Sequence, residues 1–214
     1  MKNLIYQEIS PSSYRNSIVI FLHGLGGSAN DTKLKIQQLS STLGTHFIIP
    51  EAPKRQVTVR QNSIIPAWYD ILEIEKYGKE DKPGIIESQK LIHNLLDYAC
   101  SMVDPSQVFI AGFSQGGAMA LYSGLTYTKK LGGIVCISGY VPIHKELKVN
   151  TSQKNTPVLI MHGTKDDVVP FEFGNLSYKL LLEMGLNVEM ETYNTEHYFG
   201  DSELKFLSWF LKLV

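Results

Sequence analysis

The sequence predicts an α/β fold in which a mostly parallel sheet lies between two layers of helices. Short apolar runs rich in β-branched residues alternate with longer segments of helical periodicity up to the C-terminus. Most of these runs are apolar on both faces, which is typical of parallel strands covered by helices on each side. The 214 residues contain no repeat, low-complexity tract or polar linker, so we expect a single domain over residues 1–214.

Six segments are predicted as strands and five as helices between them. The predicted strands are residues 18–22, 47–49, 108–111, 133–138, 158–161 and 188–193. The predicted helices are residues 32–43, after Asp31 as a candidate cap, then 85–103, 115–127, 171–184 and 202–213. Two polar stretches, residues 73–84 and 144–155, are predicted as surface loops. Ligand sites in this architecture lie at the carboxyl ends of the strands.

Composition excludes several classes of function. Lys and Arg number 20 against 21 Asp and Glu, a formal net charge of −1, so no basic field attracts nucleic acid. The longest apolar run, residues 18–22, is far shorter than the roughly 18 to 20 residues that cross a bilayer. The N-terminus lacks the apolar core of a signal peptide, so we expect a cytoplasmic protein without stable membrane insertion. Cys100 and Cys136 have apolar neighbours and are predicted as buried free thiols.

The pattern G-x-S-x-G occurs at Gly112 to Gly116, between a predicted strand and a predicted helix. A sharp turn at such a place lifts the serine hydroxyl above the sheet, and the glycines are needed because a Cβ would clash. We therefore predict Ser114 as a nucleophile. A glycine-rich turn with an idle serine is the alternative.

A serine nucleophile requires a base, because the hydroxyl is weakly nucleophilic at neutral pH. His197 lies four residues beyond the last predicted strand, on the side of the sheet where the serine turn opens. The other histidines are interpreted as packing, solvated or turn-stabilising residues: His23, His46, His93, His144 and His162. An acid is expected between the serine and the histidine in chain order. Asp166 and Asp167 both follow the strand 158–161, and we favour Asp166.

The negative oxygen of a tetrahedral intermediate requires N–H donors that are already in place. The backbone amide of Gln115, the residue after the serine, is one candidate. The second is the amide of Leu25, in the glycine-rich loop that follows the strand 18–22. This loop does not complete the pattern G-x-G-x-x-G, so a dinucleotide site is disfavoured.

Five collinear motifs make the sequence similar to the acyl-protein thioesterase and carboxylesterase family, small α/β-hydrolases of the phospholipase/carboxylesterase type without a cap domain. They are FLHGLG at 21–26, PEAP at 50–53, PAWYD at 66–70, GFSQGGAMAL at 112–121 and HG-x-x-D-x-VVP at 162–170. The resemblance runs from about residue 17 to the C-terminal helix. It implies that Ser114 is the nucleophile, Asp166 the acid and His197 the base, with Leu25 and Gln115 as oxyanion donors.

The resemblance also implies a substrate class. Family members hydrolyse carboxylic esters and thioesters of fatty acids, including acyl groups on protein cysteines and on lysophospholipids, without a metal or organic cofactor. The acyl groove is expected to be lined here by Trp68, Ile71, Leu72, Tyr140, Val168, Val169 and Phe173. Ordinary core packing is the alternative for these side chains.

The predicted function is therefore a serine hydrolase that cleaves acyl esters or thioesters through an acyl-enzyme, as a monomer or homodimer with transient membrane contact. A lipase or peptidase on the same fold is one alternative, although the short spacings between motifs leave little room for the inserted domain that such enzymes use. A non-catalytic acyl-binding module is the other. It would be expected to lack part of the machinery, and the sequence lacks none.

Overall fold

The structure, a computed structural model, describes residues 4–11, 17–73 and 80–213 and is organised around a seven-stranded sheet. The spatial order of its strands is β1 (Tyr6–Ile9), β3 (Thr45–Pro50), β2 (Ser17–Leu22), β6 (Val108–Phe113), β7 (Gly133–Ile137), β8 (Val158–Gly163) and β9 (Val188–Tyr193). β1 pairs antiparallel with β3, and the other neighbours in this sheet pair in parallel. The strands β4 (Lys54–Val57) and β5 (Ser63–Pro66) form a separate hairpin.

In the described ranges, five α-helices cover the two faces of the sheet: α1 (Ala29–Leu43), α2 (Lys82–Met102), α3 (Gln115–Thr126), α4 (Phe171–Glu183) and α5 (Asp201–Leu213). Successive side chains of a strand point to opposite faces. In β2, Ile18 and Ile20 therefore pack into one core with α2, α3 and α4, whereas Val19 and Phe21 pack into a second core with α1 and α5. These two cores make three layers, and the predicted α/β fold class is confirmed.

The start of each of the first two helices differs from the prediction. α1 begins at Ala29 and its cap is Ser28, whose hydroxyl accepts a hydrogen bond from the Asp31 amide at 3.1 Å. Asp31, predicted as the cap, thus lies in the first turn. α2 begins inside the polar stretch 73–84, capped by the Asp81 side chain. Residues 74–79 of that stretch lie outside the described part of the chain.

The stretch 144–155 is only partly the surface loop that was predicted. Gln153 within it is fully buried. Its side-chain amide donates to the Tyr127 carbonyl at 2.9 Å and accepts from the Leu131 amide at 3.3 Å. A polar side chain is stable in a core when it satisfies backbone groups in this way, so a polar sequence alone did not reveal its burial.

The strand ends bring four distant parts of the sequence to one edge of the sheet. The loop after β2 carries Leu25, the turn after β6 is Ser114, the turn after β8 carries Asp166, and the segment after β9 carries His197. The hairpin adjoins the first of these loops, because the Gly26 amide donates to the Pro66 carbonyl at 2.8 Å. The fold thus assembles the predicted site from separate βα connections.

Two further features concern membranes and thiols. Of the helices in the described ranges, none combines the length and the apolar character that crossing a bilayer requires. Both cysteines are free thiols; Cys136 is buried, as predicted, and Cys100 is half-buried.

Candidate active site

Ser114 occupies a tight turn between β6 and α3. Its φ of 57° and ψ of −122° are a conformation that side-chain-bearing residues rarely adopt. The turn requires the glycine on each side, because a Cβ on Gly112 would lie 2.3 Å from the Gly116 carbonyl oxygen, and one on Gly116 would lie 2.2 Å from the Leu22 carbonyl oxygen. This close packing places the serine at the carboxyl edge of the sheet, in the wall of a cavity.

A chain of hydrogen bonds connects Ser114, His197 and Asp166. The His197 Nδ1 atom is 2.7 Å from Asp166 Oδ2, and its Nε2 atom is 2.9 Å from Ser114 Oγ. A carboxylate only accepts, so Nδ1 carries the proton and Nε2 accepts from the serine hydroxyl. The Asp167 side chain is exposed and lines the cavity instead. The geometry therefore favours Asp166 over Asp167 as the partner of the imidazole.

The Asp166 carboxylate is surrounded by donors. Oδ1 accepts from the amides of Val168 and Val169 at 3.0 and 2.8 Å. Oδ2 faces His162 Nε2 at 3.3 Å as well as His197, and that same Nε2 donates to the Val169 carbonyl at 2.9 Å. Burial by itself would raise the pKa of Asp166, but the hydrogen bonds from His162, His197 and the Val169 amide lower it well below its usual range. The carboxylate stays ionised.

A column of aromatic rings supports the imidazole of His197. The Phe113 ring lies 4.8 Å from the His197 ring, Phe199 stacks on Phe113 at 5.9 Å, and Phe21 stacks on Phe199 at 5.4 Å between centroids. The Lys35 ammonium lies 5.4 Å from the centre of the Phe199 ring, a cation–π distance. These contacts fix the segment after β9, and sequence reasoning did not find them because the rings come from three distant parts of the chain: β2, β6 and the segment after β9.

The two predicted oxyanion donors lie beside Ser114 in the cavity wall. In the part of the chain that the structure describes, no hydrogen bond uses the Leu25 amide. The loop that carries it is closed by Gly24, whose carbonyl accepts from the Gly27 amide and from His23 Nδ1. Gln115 begins α3, where a backbone N–H has no intrahelical acceptor. Both amides are therefore available to a negative oxygen.

The cavity has a volume of about 510 Å³ and is mostly apolar. Six of the seven predicted groove residues line it: Ile71, Leu72, Tyr140, Val168, Val169 and Phe173. Further lining residues, not anticipated from the sequence, are Val59, Arg60, Tyr69, Asp70, Glu73, Glu80 and Phe113. The Tyr69 and Tyr140 hydroxyls are 3.3 Å apart, and burial raises the pKa of Tyr69 well above its usual value. The sequence feature that could have indicated Tyr69 as a lining residue is its position next to Trp68 in the motif PAWYD.

Trp68 is placed differently from the prediction. It is fully buried and lies outside the cavity lining. Its indole Nε1 donates to the His23 carbonyl at 2.8 Å, and its backbone amide donates to the Gln115 side-chain oxygen at 2.9 Å. Its neighbours are thus the elements that carry the two predicted oxyanion donors.

The remaining histidines are consistent with packing and turn roles. His46 lies in β3 and contacts Ser10 and Glu8, while His93 Nε2 donates to the Ser123 carbonyl at 2.9 Å. Within residues 4–11, 17–73 and 80–213, no group of three or more His, Cys, Asp or Glu side chains is arranged to hold a metal ion.

Comparisons with known proteins bear on this site. A sequence model for the family described as Phospholipase/Carboxylesterase matches residues 6–214. Acyl-protein thioesterase 1 of Gibberella zeae is 36% identical over 198 residues, 85% of this chain and 83% of that protein. Carboxylesterase SOBER1 of Arabidopsis thaliana is 34% identical over 207 residues, 92% and 90% of the two chains. The crystal structure of Arabidopsis thaliana SOBER1 matches with a TM-score of 0.85 and 32% identity over 92% of this chain and 98% of that one.

Proposed function

The chain belongs to the phospholipase/carboxylesterase family, and we propose on this basis that Ser114 is the nucleophile of a hydrolase acting on acyl esters and thioesters. One observation carries the proposal. The Ser114 hydroxyl, His197 and Asp166 form a hydrogen-bonded chain at 2.9 and 2.7 Å, beside two backbone amides open to the cavity. That is the arrangement that acyl transfer to a serine requires.

In the first half of the reaction, His197 Nε2 takes the proton of the Ser114 hydroxyl as Oγ attacks the carbonyl carbon of the substrate. The carbonyl oxygen becomes negative and is held by the Leu25 and Gln115 amides. Asp166 fixes the His197 tautomer and stabilises the imidazolium. The intermediate collapses, the alcohol or thiol leaves with the proton from His197, and the acyl group remains on Ser114.

In the second half, a water molecule takes the place of the leaving group. His197 removes one of its protons, and the hydroxide attacks the acyl carbon of the ester on Ser114. The same two amides hold the new oxyanion. Collapse breaks the bond to Oγ, which recovers its proton from His197, and the carboxylic acid leaves.

The cavity supports an acyl chain as the occupant. Its apolar side chains, among them Val169 and Phe173, suit a hydrocarbon, whereas Arg60 and Asp70 lie where a polar leaving group can approach. Acylated protein cysteines and lysophospholipids are the proposed natural classes of substrate. No cofactor takes part in the proposed reaction.

We also propose a cytoplasmic monomer or homodimer of one domain that touches membranes transiently. Leu72 and Val168 support the membrane contact, because both are apolar, substantially exposed and part of the cavity wall. Sedimentation in dilute solution measures the oligomeric state, and sedimentation with vesicles measures the membrane contact. A larger oligomer, or equal recovery with and without vesicles, contradicts this part of the proposal.

The test of the function is hydrolysis of p-nitrophenyl esters and matched acyl thioesters from two to sixteen carbons. Ser114→Ala is expected to lower kcat by about 10⁴-fold or more on every active substrate. Ser101→Ala removes an exposed hydroxyl that donates to the Tyr98 carbonyl at 2.7 Å, and it is expected to retain wild-type kcat. Hydrolysis by Ser114→Ala near the wild-type rate overturns the proposal.

A further inference from the structure

We propose that Trp68 is a positioning residue that connects the two oxyanion donors to each other. The donors come from different elements: Leu25 from the loop after β2, and Gln115 from the start of α3. Trp68 lies between these elements and hydrogen-bonds to both, without lining the cavity. This inference rests on the proposed function, since the placement of these amides matters to the rate only if an oxyanion forms.

On the Leu25 side, two bonds from one segment enclose the donor. The Trp68 indole N–H donates to the His23 carbonyl at 2.8 Å, and the Pro66 carbonyl accepts from the Gly26 amide at 2.8 Å. These bonds hold the peptide groups directly before and after the one that carries the Leu25 N–H. The indole also packs against the His23 imidazole, with 5.5 Å between ring centres. The Leu25 amide is thereby fixed in orientation from both sides.

On the Gln115 side, both ends of the side-chain amide are engaged. Its Oε1 accepts from the Trp68 backbone N–H at 2.9 Å, and its Nε2 donates to the Tyr69 carbonyl at 2.7 Å. The side-chain oxygen of Gln115 thus accepts from the backbone N–H of Trp68, and its side-chain nitrogen donates to the backbone carbonyl of the next residue, Tyr69. The pair of bonds fixes Gln115 at the first turn of α3, with its backbone N–H left for the cavity.

The connecting segment is itself anchored. The Ser88 hydroxyl of α2 donates to the Trp68 carbonyl, and Arg55 Nε donates to the Ala67 carbonyl at 2.9 Å. The Ala67 amide donates to the Pro53 carbonyl at 3.0 Å. Trp68 and Ser88 are completely buried, so water does not compete for these bonds. Residues 66–69 therefore form a rigid segment that fixes the Leu25 and Gln115 amides relative to each other.

An oxyanion donor contributes to the rate only when it is held close to the position of the developing charge. Removal of the Trp68 indole N–H leaves the His23 carbonyl without this partner. The Leu25 amide is then held from one side only, by the bond between the Gly26 amide and the Pro66 carbonyl. Loss of a whole donor costs about 10² to 10³ in kcat. A displaced donor is expected to cost less, about 10- to 100-fold.

The test is Trp68→Phe, which keeps an aromatic ring and removes the indole N–H. We expect kcat to fall by about 10- to 100-fold with little change in KM. The affinity for a trifluoromethyl ketone, which adds to Ser114 and forms an oxyanion, is expected to fall by a similar factor. The affinity for a fatty alcohol of the same chain length, which carries no negative oxygen, is expected to stay unchanged. A merely structural role would not separate the two ligands.

Tyr127→Phe is the matched control, because it removes another buried aromatic donor, a hydroxyl that bonds Asp97 at 2.8 Å and does not line the cavity. It is expected to change the melting temperature while kcat stays within about twofold of wild type. If Trp68→Phe does not fold, Gln115→Met, which keeps the backbone amide and loses both side-chain bonds, replaces it. It is expected to lower kcat and ketone affinity at least about tenfold.

The inference is overturned if a folded Trp68→Phe, or in its place Gln115→Met, keeps both kcat and ketone affinity within about twofold of wild type. Failure of the proposed function has a different signature. It appears as a wild-type protein that turns over no acyl substrate, or as Ser114→Ala with wild-type activity.

Discussion

Asp166→Asn is expected to reduce both stability and rate, and the stability effect follows from the four donors around the carboxylate. Val168 and Val169 amides point at Oδ1, while His197 and His162 point at Oδ2. An asparagine amide has one acceptor oxygen, so its NH₂ group faces two N–H donors whichever way it turns. Each buried donor that loses its acceptor costs about 1 to 3 kcal/mol. The less costly orientation turns the NH₂ group toward His197 and His162, because His162 Nε2 keeps the Val169 carbonyl as an acceptor. At most the His197 donor then loses its acceptor, so we expect the free energy of unfolding to fall by about 1 to 3 kcal/mol.

The rate effect follows from the same geometry. If the new NH₂ group faces His197, the imidazole keeps a hydrogen bond only by moving its proton to Nε2, which then cannot accept from Ser114. If the amide oxygen faces His197, the tautomer is retained, but the charge that stabilises the imidazolium is lost. Either orientation impairs proton transfer, and kcat is expected to fall by about 10⁴-fold, the loss typical of this change in Ser-His-Asp hydrolases.

The assay measures kcat on a p-nitrophenyl ester together with urea unfolding followed by circular dichroism. Asp167→Asn is the matched control, because the neighbouring side chain is exposed and makes no bond to His197. It is expected to keep kcat within about threefold of wild type. The reasoning is refuted if Asp166→Asn keeps kcat within tenfold of wild type, or if Asp167→Asn loses as much activity.

Three further predictions concern packing and protonation. Gly116→Ala puts a Cβ 2.2 Å from the Leu22 carbonyl oxygen, so the serine turn must open, and we expect kcat to fall at least about 100-fold in the ester assay. Gly174→Ala puts a Cβ 2.4 Å from His162 Nδ1; the ring must shift, which disturbs its contact with the Asp166 carboxylate, and we expect kcat to fall about tenfold. Burial lowers the pKa of His23, so urea unfolding is expected to become easier as pH falls from 7.5 to 5.5.

The sign of the pH effect is set by proton binding. Below about pH 6.5, the ordinary value for histidine, the unfolded chain binds protons that the buried imidazole does not. Stability is therefore complete above that pH and is lost as pH falls toward the folded-state value. Burial also lowers the pKa of His93, so His93→Gln is expected to reduce the loss. A free energy of unfolding that stays level or rises on acidification contradicts the pH prediction. A wild-type kcat in Gly116→Ala or Gly174→Ala contradicts the prediction for that variant.

The parts of the fold with strong local patterns were predictable. The apolar run at 108–111 and the helical pattern from residue 115 predicted β6 and α3, and the glycines between them predicted the tight turn at Ser114. A strand or a turn of this kind depends on residues that are adjacent in the chain. The alternation of the predicted strands and helices along the chain, and with it the fold class, therefore followed from the sequence.

Elements with weak local patterns were not predicted. β1 and β4 are short and carry exposed polar side chains, and β5 is four residues long with only the apolar pair Ile64 and Ile65, so no apolar run of strand length marks them. At the site, the placement of Trp68 and Tyr69 was likewise not predictable from the local sequence. Both side chains are buried in the same core, and only the tertiary contacts decide that Tyr69 also lines the cavity while Trp68 does not.

The central claim is that Ser114 is a nucleophile activated by His197. Its most direct test is the intact mass of the protein after treatment with a fluorophosphonate, followed by digestion to locate the adduct. The account predicts one adduct per wild-type chain, at Ser114, and none on a folded Ser114→Ala variant. A folded wild-type protein that acquires no adduct, or an adduct that persists in Ser114→Ala, contradicts it.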